Sequence, residues 1–81
     1  MNMEAFRKWL LKNKGLTTRS AKDVISRINR VSNFEKIEQE KDTLIKKLNK
    51  NQEFRNLTVT VQSQIRRAIR LLKEFEKNLP T

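Results

Sequence analysis

Apolar residues recur along this chain at the spacing of one face of a helix. The first set follows steps of three and four and consists of Met3, Phe6, Trp9 and Leu10. This spacing is typical of an amphipathic helix. Gly15 follows, and glycine readily adopts the left-handed conformation that ends many helices. The pattern therefore predicts a first helix over residues 3–13.

A second apolar set predicts a helix over residues 18–32. Thr17 or Thr18 can accept hydrogen bonds from the free backbone N–H groups at its start. Its apolar face is formed by Ala21, Val24, Ile25, Ile28 and Val31.

Two further helices follow, over residues 36–49 and 58–78. In the third helix, the apolar positions lie among alternating charges, and they are Ile37, Leu44, Ile45 and Leu48. The fourth helix carries the longest apolar stripe, made of Val61, Ile65, Ala68, Ile69, Leu72 and Phe75. The alternation over residues 58–61 also suits a strand, but no partner strand occurs elsewhere. The prediction is an all-α domain over residues 1–81, a compact bundle of four helices.

The residue types that are missing exclude most enzyme chemistry. The 81 residues include no Cys, no His, no Tyr and a single Gly. Thiolate or imidazole metal sites, Ser-His and Cys nucleophiles and glycine-rich phosphate loops are therefore ruled out. The carboxylates of residues 35–42 alternate with lysines, as on a solvated surface. We expect a non-enzymatic protein with no cofactor, no metal and no small-molecule substrate.

The charge indicates a polyanionic partner. The net charge is +10, with eight Lys/Arg against two Asp/Glu in residues 1–34, five against five in residues 35–54, and six against two in residues 55–81. An excess of this size favours nucleic acid over a membrane surface or an acidic protein. The alternative is a basic surface that serves solubility alone, for which a net charge of roughly 2 to 8 suffices.

The cations fall on two helix stripes. In the second helix the stripe is Arg19, Lys22, Ser26 and Arg30; in the fourth it is Arg66, Arg70, Lys73 and Lys77, with Arg67 beside it. Guanidinium groups bind phosphate in a bidentate manner and also fit guanine edges. Gln62, Ser63 and Gln64 add neutral donors and acceptors. We expect the two stripes to converge on a nucleic acid.

Two segments, FRKWLLKNKGLTTRSAKDVISRI and VQSQIRRAIRLLKEF, resemble the N-terminal, SAM-like core-binding domain of tyrosine recombinases, the phage-integrase group. Thr17 and Ser20 match the family's turn and helix-start hydroxyls, and Ile28 and Phe75 match a later Leu and the closing aromatic. Val24 stands where the family usually has Tyr. The resemblance implies a four-helix bundle whose second and fourth helices clamp duplex DNA during recombination, while a separate catalytic domain cuts it.

On this chain, the DNA-facing residues implied by the resemblance are Thr18, Arg19, Lys22, Ser26, Arg30, Gln62, Ser63, Arg66, Arg67, Arg70 and Lys73. Without His or Tyr the chain cannot supply that family's catalytic groups, so it is either an excised domain or a small protein that uses the fold alone.

Two other interpretations stay open, and a third is disfavoured. The protein can be a small phage-type inhibitor or adaptor that docks on a host nucleic-acid enzyme or ribonucleoprotein. The arginine stripes also fit RNA. A membrane-surface bundle needs more exposed large apolar residues than the sequence offers, so no membrane partner is expected. With no apolar run of about 20 residues and no secretion signal, the expected location is the cytoplasm of a bacterial or phage-infected cell.

Overall fold

The computed structural model describes residues 3–78, and within this range the regular structure consists of five α-helices and no strand. They are α1 (Met3–Asn13), α2 (Thr18–Val31), α3 (Lys41–Lys50), α4 (Gln52–Arg55) and α5 (Val59–Lys77). The all-α prediction is confirmed. Leu79 to Thr81 lie outside the described residues, and α5 ends at Lys77, one residue before the predicted limit.

Threonine caps begin the two longest helices. The hydroxyl of Thr17 accepts a hydrogen bond from the backbone N–H of Ser20 at 3.1 Å, and that of Thr58 accepts one from Val61 at 3.2 Å. Each cap satisfies one of the N–H groups that a helix leaves without an internal partner. The Thr58 cap explains why the alternating residues after it enter a helix and not a strand.

The third helix begins later than the sequence predicts, because residues 36–40 are not helical and contain a turn at residues 37 and 38. The ammonium group of Lys73 donates to the carbonyl oxygen of Ile37 at 2.8 Å, and the Gln39 amide donates to that of Lys36 at 2.9 Å. Side chains thus supply hydrogen bonds to these two carbonyls, where the backbone does not continue as a helix. The prediction of a helix from residue 36 is therefore wrong for its first turn.

The predicted connection between the last two helices contains α4, a single helical turn. Asn51 caps it by accepting from the backbone N–H of Phe54 at 3.1 Å, and the Asn51 amide donates to the carbonyl oxygen of Phe34 at 3.4 Å. These bonds hold the turn against the segment that follows α2. The ring of Phe54 is thereby fully buried in the core.

The core lies beneath α5, which packs against α1, α2 and α3. Its buried members are Phe6, Leu10, Ala21, Val24, Ile28, Val31, Leu44, Leu48, Phe54, Ile65, Ala68, Ile69, Leu72 and Phe75. The rings of Phe6 and Phe75 lie 5.3 Å apart between centroids, within the range of favourable aromatic pairs. No helix among residues 3–78 is both long enough and apolar enough to cross a membrane.

Replacing Gly15 with alanine is expected to lower the free energy of unfolding by about 1 kcal/mol. Gly15 has a φ angle of 63°, where a Cβ atom strains the backbone. A Cβ there would meet no atom within 4 Å, so the cost is purely conformational. Urea unfolding measures it, and Gly15→Asn serves as control because asparagine tolerates this conformation better. Equal stability of the alanine variant and wild type would contradict the prediction.

Candidate nucleic-acid interface

The start of α2 lies beside Arg67 of α5 and its end beside Val61, so the two helices run antiparallel with a groove between them. One depression of about 310 Å³ is lined by Leu16, Ser20, Asp23, Val24, Arg27, Gln64 and Arg67. The next, of about 280 Å³, is lined by Asp23, Ser26, Arg27, Arg30, Val61 and Gln64. Because the two share Asp23, Arg27 and Gln64, they form one surface, called here the α2–α5 groove.

Three guanidinium groups line the α2–α5 groove. Arg27 is half-buried and borders both depressions, whereas Arg30 and Arg67 are exposed. Asp23 is the one carboxylate among the lining residues, and no salt bridge joins any of these arginines to a carboxylate among residues 3–78. Three arginines against one aspartate leave the groove with a net excess of positive charge.

Helix periodicity places these side chains beside the core without burying them. Arg27 precedes the buried Ile28, and Arg67 precedes the buried Ala68. A step of one residue turns the helix by about 100°, which moves each side chain from the core face to its edge. The apolar contacts between α2 and α5 therefore fix the distance between the two rows of groove residues.

The predicted stripe on the second helix is solvent-facing along its whole length. Thr18, Arg19, Lys22, Ser26 and Arg30 are all exposed. Ser26 and Arg30 also line the α2–α5 groove, while Thr18, Arg19 and Lys22 do not. The structure therefore brings only the C-terminal part of this stripe next to α5.

The predicted stripe on the last helix divides between two flanks of α5. On the flank away from α2, the Gln62 amide donates to the carbonyl oxygens of Leu57 and Arg55, at 2.8 and 3.2 Å. Arg66 donates to the Asn49 side-chain oxygen at 3.1 Å, and its guanidinium lies 5.9 Å from the Phe54 ring centroid. Both side chains have contacts within the protein and face away from the groove.

Lys73 also contacts the protein and not the groove. Its side chain is only 15% exposed, and its ammonium group lies 3.2 Å from a carboxylate oxygen of Glu76 in addition to its bond with Ile37. Arg70 lines a different depression, with the acidic residues Glu38, Glu40 and Asp42. Ser63 is exposed and lines neither depression of the groove. Of the second stripe, Arg67 alone lines the α2–α5 groove.

The sequence-based interface did not include Arg27, which lies at the centre of the groove. Arg27 follows Ser20 and Asp23 by seven and four residues, so the three share one edge of α2. This edge lies between the apolar face and the solvent-facing stripe. Its position was the feature of the sequence that could have indicated Arg27 as an interface residue. Gln64, noted in the sequence as a neutral donor and acceptor, lies opposite it on α5.

The acidic residues offer no cluster suited to a cation. Among residues 3–78, no three or more His, Cys, Asp or Glu side chains are arranged to hold a metal ion. One carboxylate, that of Glu4, has a pKa below its ordinary value, because it accepts hydrogen bonds from the guanidinium of Arg7 on the same exposed helix face. This pair lies on α1, outside the groove.

Comparison of the chain with models of protein families, with curated proteins and with solved structures finds no match. The resemblance to the core-binding domain therefore stays a prediction. A function has to be inferred from the geometry and charge of the α2–α5 groove.

Proposed function

We propose that this protein is a non-enzymatic module that binds duplex DNA, with the phosphates of one strand held along the α2–α5 groove. The observation that carries the proposal is the set of three arginines, Arg27, Arg30 and Arg67, which line one groove, outnumber its single carboxylate, Asp23, and form no salt bridge among the described residues. We further propose that the helices form a SAM-like bundle similar to the core-binding domain of integrases, as the sequence pattern suggests.

The chemistry of the groove suits a phosphate backbone. Guanidinium groups form paired hydrogen bonds with phosphate oxygens, and their charge displaces the counterions that surround DNA. Ser20, Ser26 and Gln64 supply neutral donors between the arginines. Two successive depressions suit a chain of phosphates better than one isolated anion. The net charge of +10 adds long-range attraction to any polyanion.

The absence of aromatic lining favours duplex over single-stranded nucleic acid. Proteins that bind unpaired strands usually stack the bases on aromatic side chains. No Phe or Trp lines either depression of the α2–α5 groove, and the rings of Phe6, Phe54 and Phe75 are buried in the core. Bases that are already stacked within a duplex need no such platform.

Fluorescence anisotropy tests the proposal with a labelled random duplex, a single strand of the same sequence and a structured RNA, each titrated at several salt concentrations. We expect the duplex to bind most tightly. If Arg27, Arg30 and Arg67 each contact a phosphate, the plot of log K against log salt should have a slope of about −3.

Two results would contradict the proposal. Stronger binding of the structured RNA would assign the groove to RNA. Weak and equal binding of all three ligands at physiological salt would favour the adaptor hypothesis, in which an acidic protein surface occupies the groove. Recovery of one stoichiometric protein partner in a pull-down would then support that alternative.

A further inference from the structure

A second group of cations lies on the other flank of α5. Lys46 and Lys50 are exposed on α3, one helical turn apart, and neither forms a salt bridge within the described residues. Arg66 of α5 joins them through its hydrogen bond to Asn49, which is adjacent to Lys50 in the chain. Lys46, Lys50 and Arg66 are called here the α3 face.

The α3 face and the α2–α5 groove lie on different sides of α5. Gln64 and Arg67 line the groove with α2, whereas Arg66 contacts α3 and Gln62 contacts the end of α4. Gln62 and Gln64 are two residues apart, which is a rotation of about 200° around the helix. A ligand held along the groove therefore leaves the α3 face uncovered.

The guanidinium of Arg66 is held in place before any ligand arrives. Asn49 accepts one of its hydrogen bonds, at 3.1 Å, and the ring of Phe54 lies 5.9 Å beneath it. The planar group has five N–H donors, so this bond leaves others available. Fixing the side chain in advance reduces the conformational entropy that binding would otherwise cost.

We propose that the α3 face is a second contact for nucleic acid, so that one molecule holds two DNA duplexes together. The inference rests on the proposed function, because the first duplex occupies the α2–α5 groove. The second duplex binds through phosphate contacts with Lys46, Lys50 and Arg66.

A bridging assay tests this inference. One duplex is attached to beads, a second duplex carries a fluorophore, and captured fluorescence is measured as wild-type protein is added at about 0.1 M salt. The variant Lys46→Gln with Lys50→Gln should lower capture roughly tenfold to hundredfold, because each lost phosphate contact costs up to about tenfold at this salt. Binding of the bead-attached duplex alone, measured in parallel, should change less than about threefold, because the groove still holds it.

A matched control is available on α1. Lys8 and Lys12 are also exposed and one turn apart, and neither forms a salt bridge among the described residues. Lys12, like Lys50, lies in the last turn of its helix. Lys8→Gln with Lys12→Gln should capture the second duplex as wild type does. Equal capture by the two variants, or no capture by wild-type protein that binds a single duplex, would overturn the second contact. Failure to bind even one duplex would instead overturn the proposed function.

Discussion

Truncation of Phe54 to alanine is expected to lower the free energy of unfolding by about 3 to 5 kcal/mol. The ring is fully buried and packs edge to face against Phe34, with 6.0 Å between centroids. Its loss leaves a cavity under a helical turn too short to collapse onto the core. Since an 81-residue domain has a total stability of only about 4 to 12 kcal/mol, the variant should lose a large part of its stability.

Urea unfolding followed by circular dichroism measures this loss, and Phe34→Ala is the matched control. Phe34 is half-buried, so the same truncation there should cost less, about 1 to 2 kcal/mol. Phe54→Leu, which keeps most of the buried volume, should lie between Phe54→Ala and wild type. If Phe54→Ala costs no more than Phe34→Ala, α4 does not anchor the core as the contacts indicate.

Phe54 also shows where sequence periodicity stops being informative. The long helices follow from repeating apolar positions, because α1, α2 and α5 each bury one continuous face. A four-residue helix has no repeat to detect. What holds α4 is a cap and a hydrogen bond from Asn51 to the carbonyl of Phe34, 17 residues earlier, and no local pattern encodes that contact.

The late start of α3 has a similar cause. Lys73 donates a hydrogen bond to the carbonyl oxygen of Ile37, which lies 36 residues earlier in the chain. Ile37 and Leu44 are seven residues apart, as on one helix face. The apolar pattern of α3 therefore extends back to Ile37, but the helical backbone does not. In the observed turn that carbonyl accepts a tertiary hydrogen bond, which depends on where α5 lies.

For the candidate interface, the sequence predicted which types of residue are present better than it predicted which residues lie together in space. Spacing gives the angle at which each side chain leaves its helix, but not which helix lies in that direction. Arg66 and Arg67 are adjacent in sequence, yet one contacts α3 and the other lines the groove with α2. The division of the second stripe could be seen only once the packing of α5 was known.

Replacing Arg27 and Arg67 with alanine should lower duplex affinity about fiftyfold at about 0.1 M salt and reduce the salt slope by about two. The variants are made together with Lys46→Gln and Lys50→Gln, so that the α3 face does not hold the duplex when the groove fails. Both arginines line the groove and form no salt bridge among the described residues. Anisotropy titrations at several salt concentrations give both quantities.

Two variant pairs in the same background show whether the groove or general charge is responsible. Lys8→Ala with Lys12→Ala removes the same charge from α1 and should leave the slope nearly unchanged. Arg66→Ala with Arg70→Ala removes two arginines of the sequence-predicted stripe that do not line the groove. If that pair flattens the slope by about two while the Arg27 and Arg67 pair does not, the flank of α5 that carries Arg66 and Arg70 binds the phosphates and the groove does not. Equal losses from all three pairs would mean that DNA responds only to net charge.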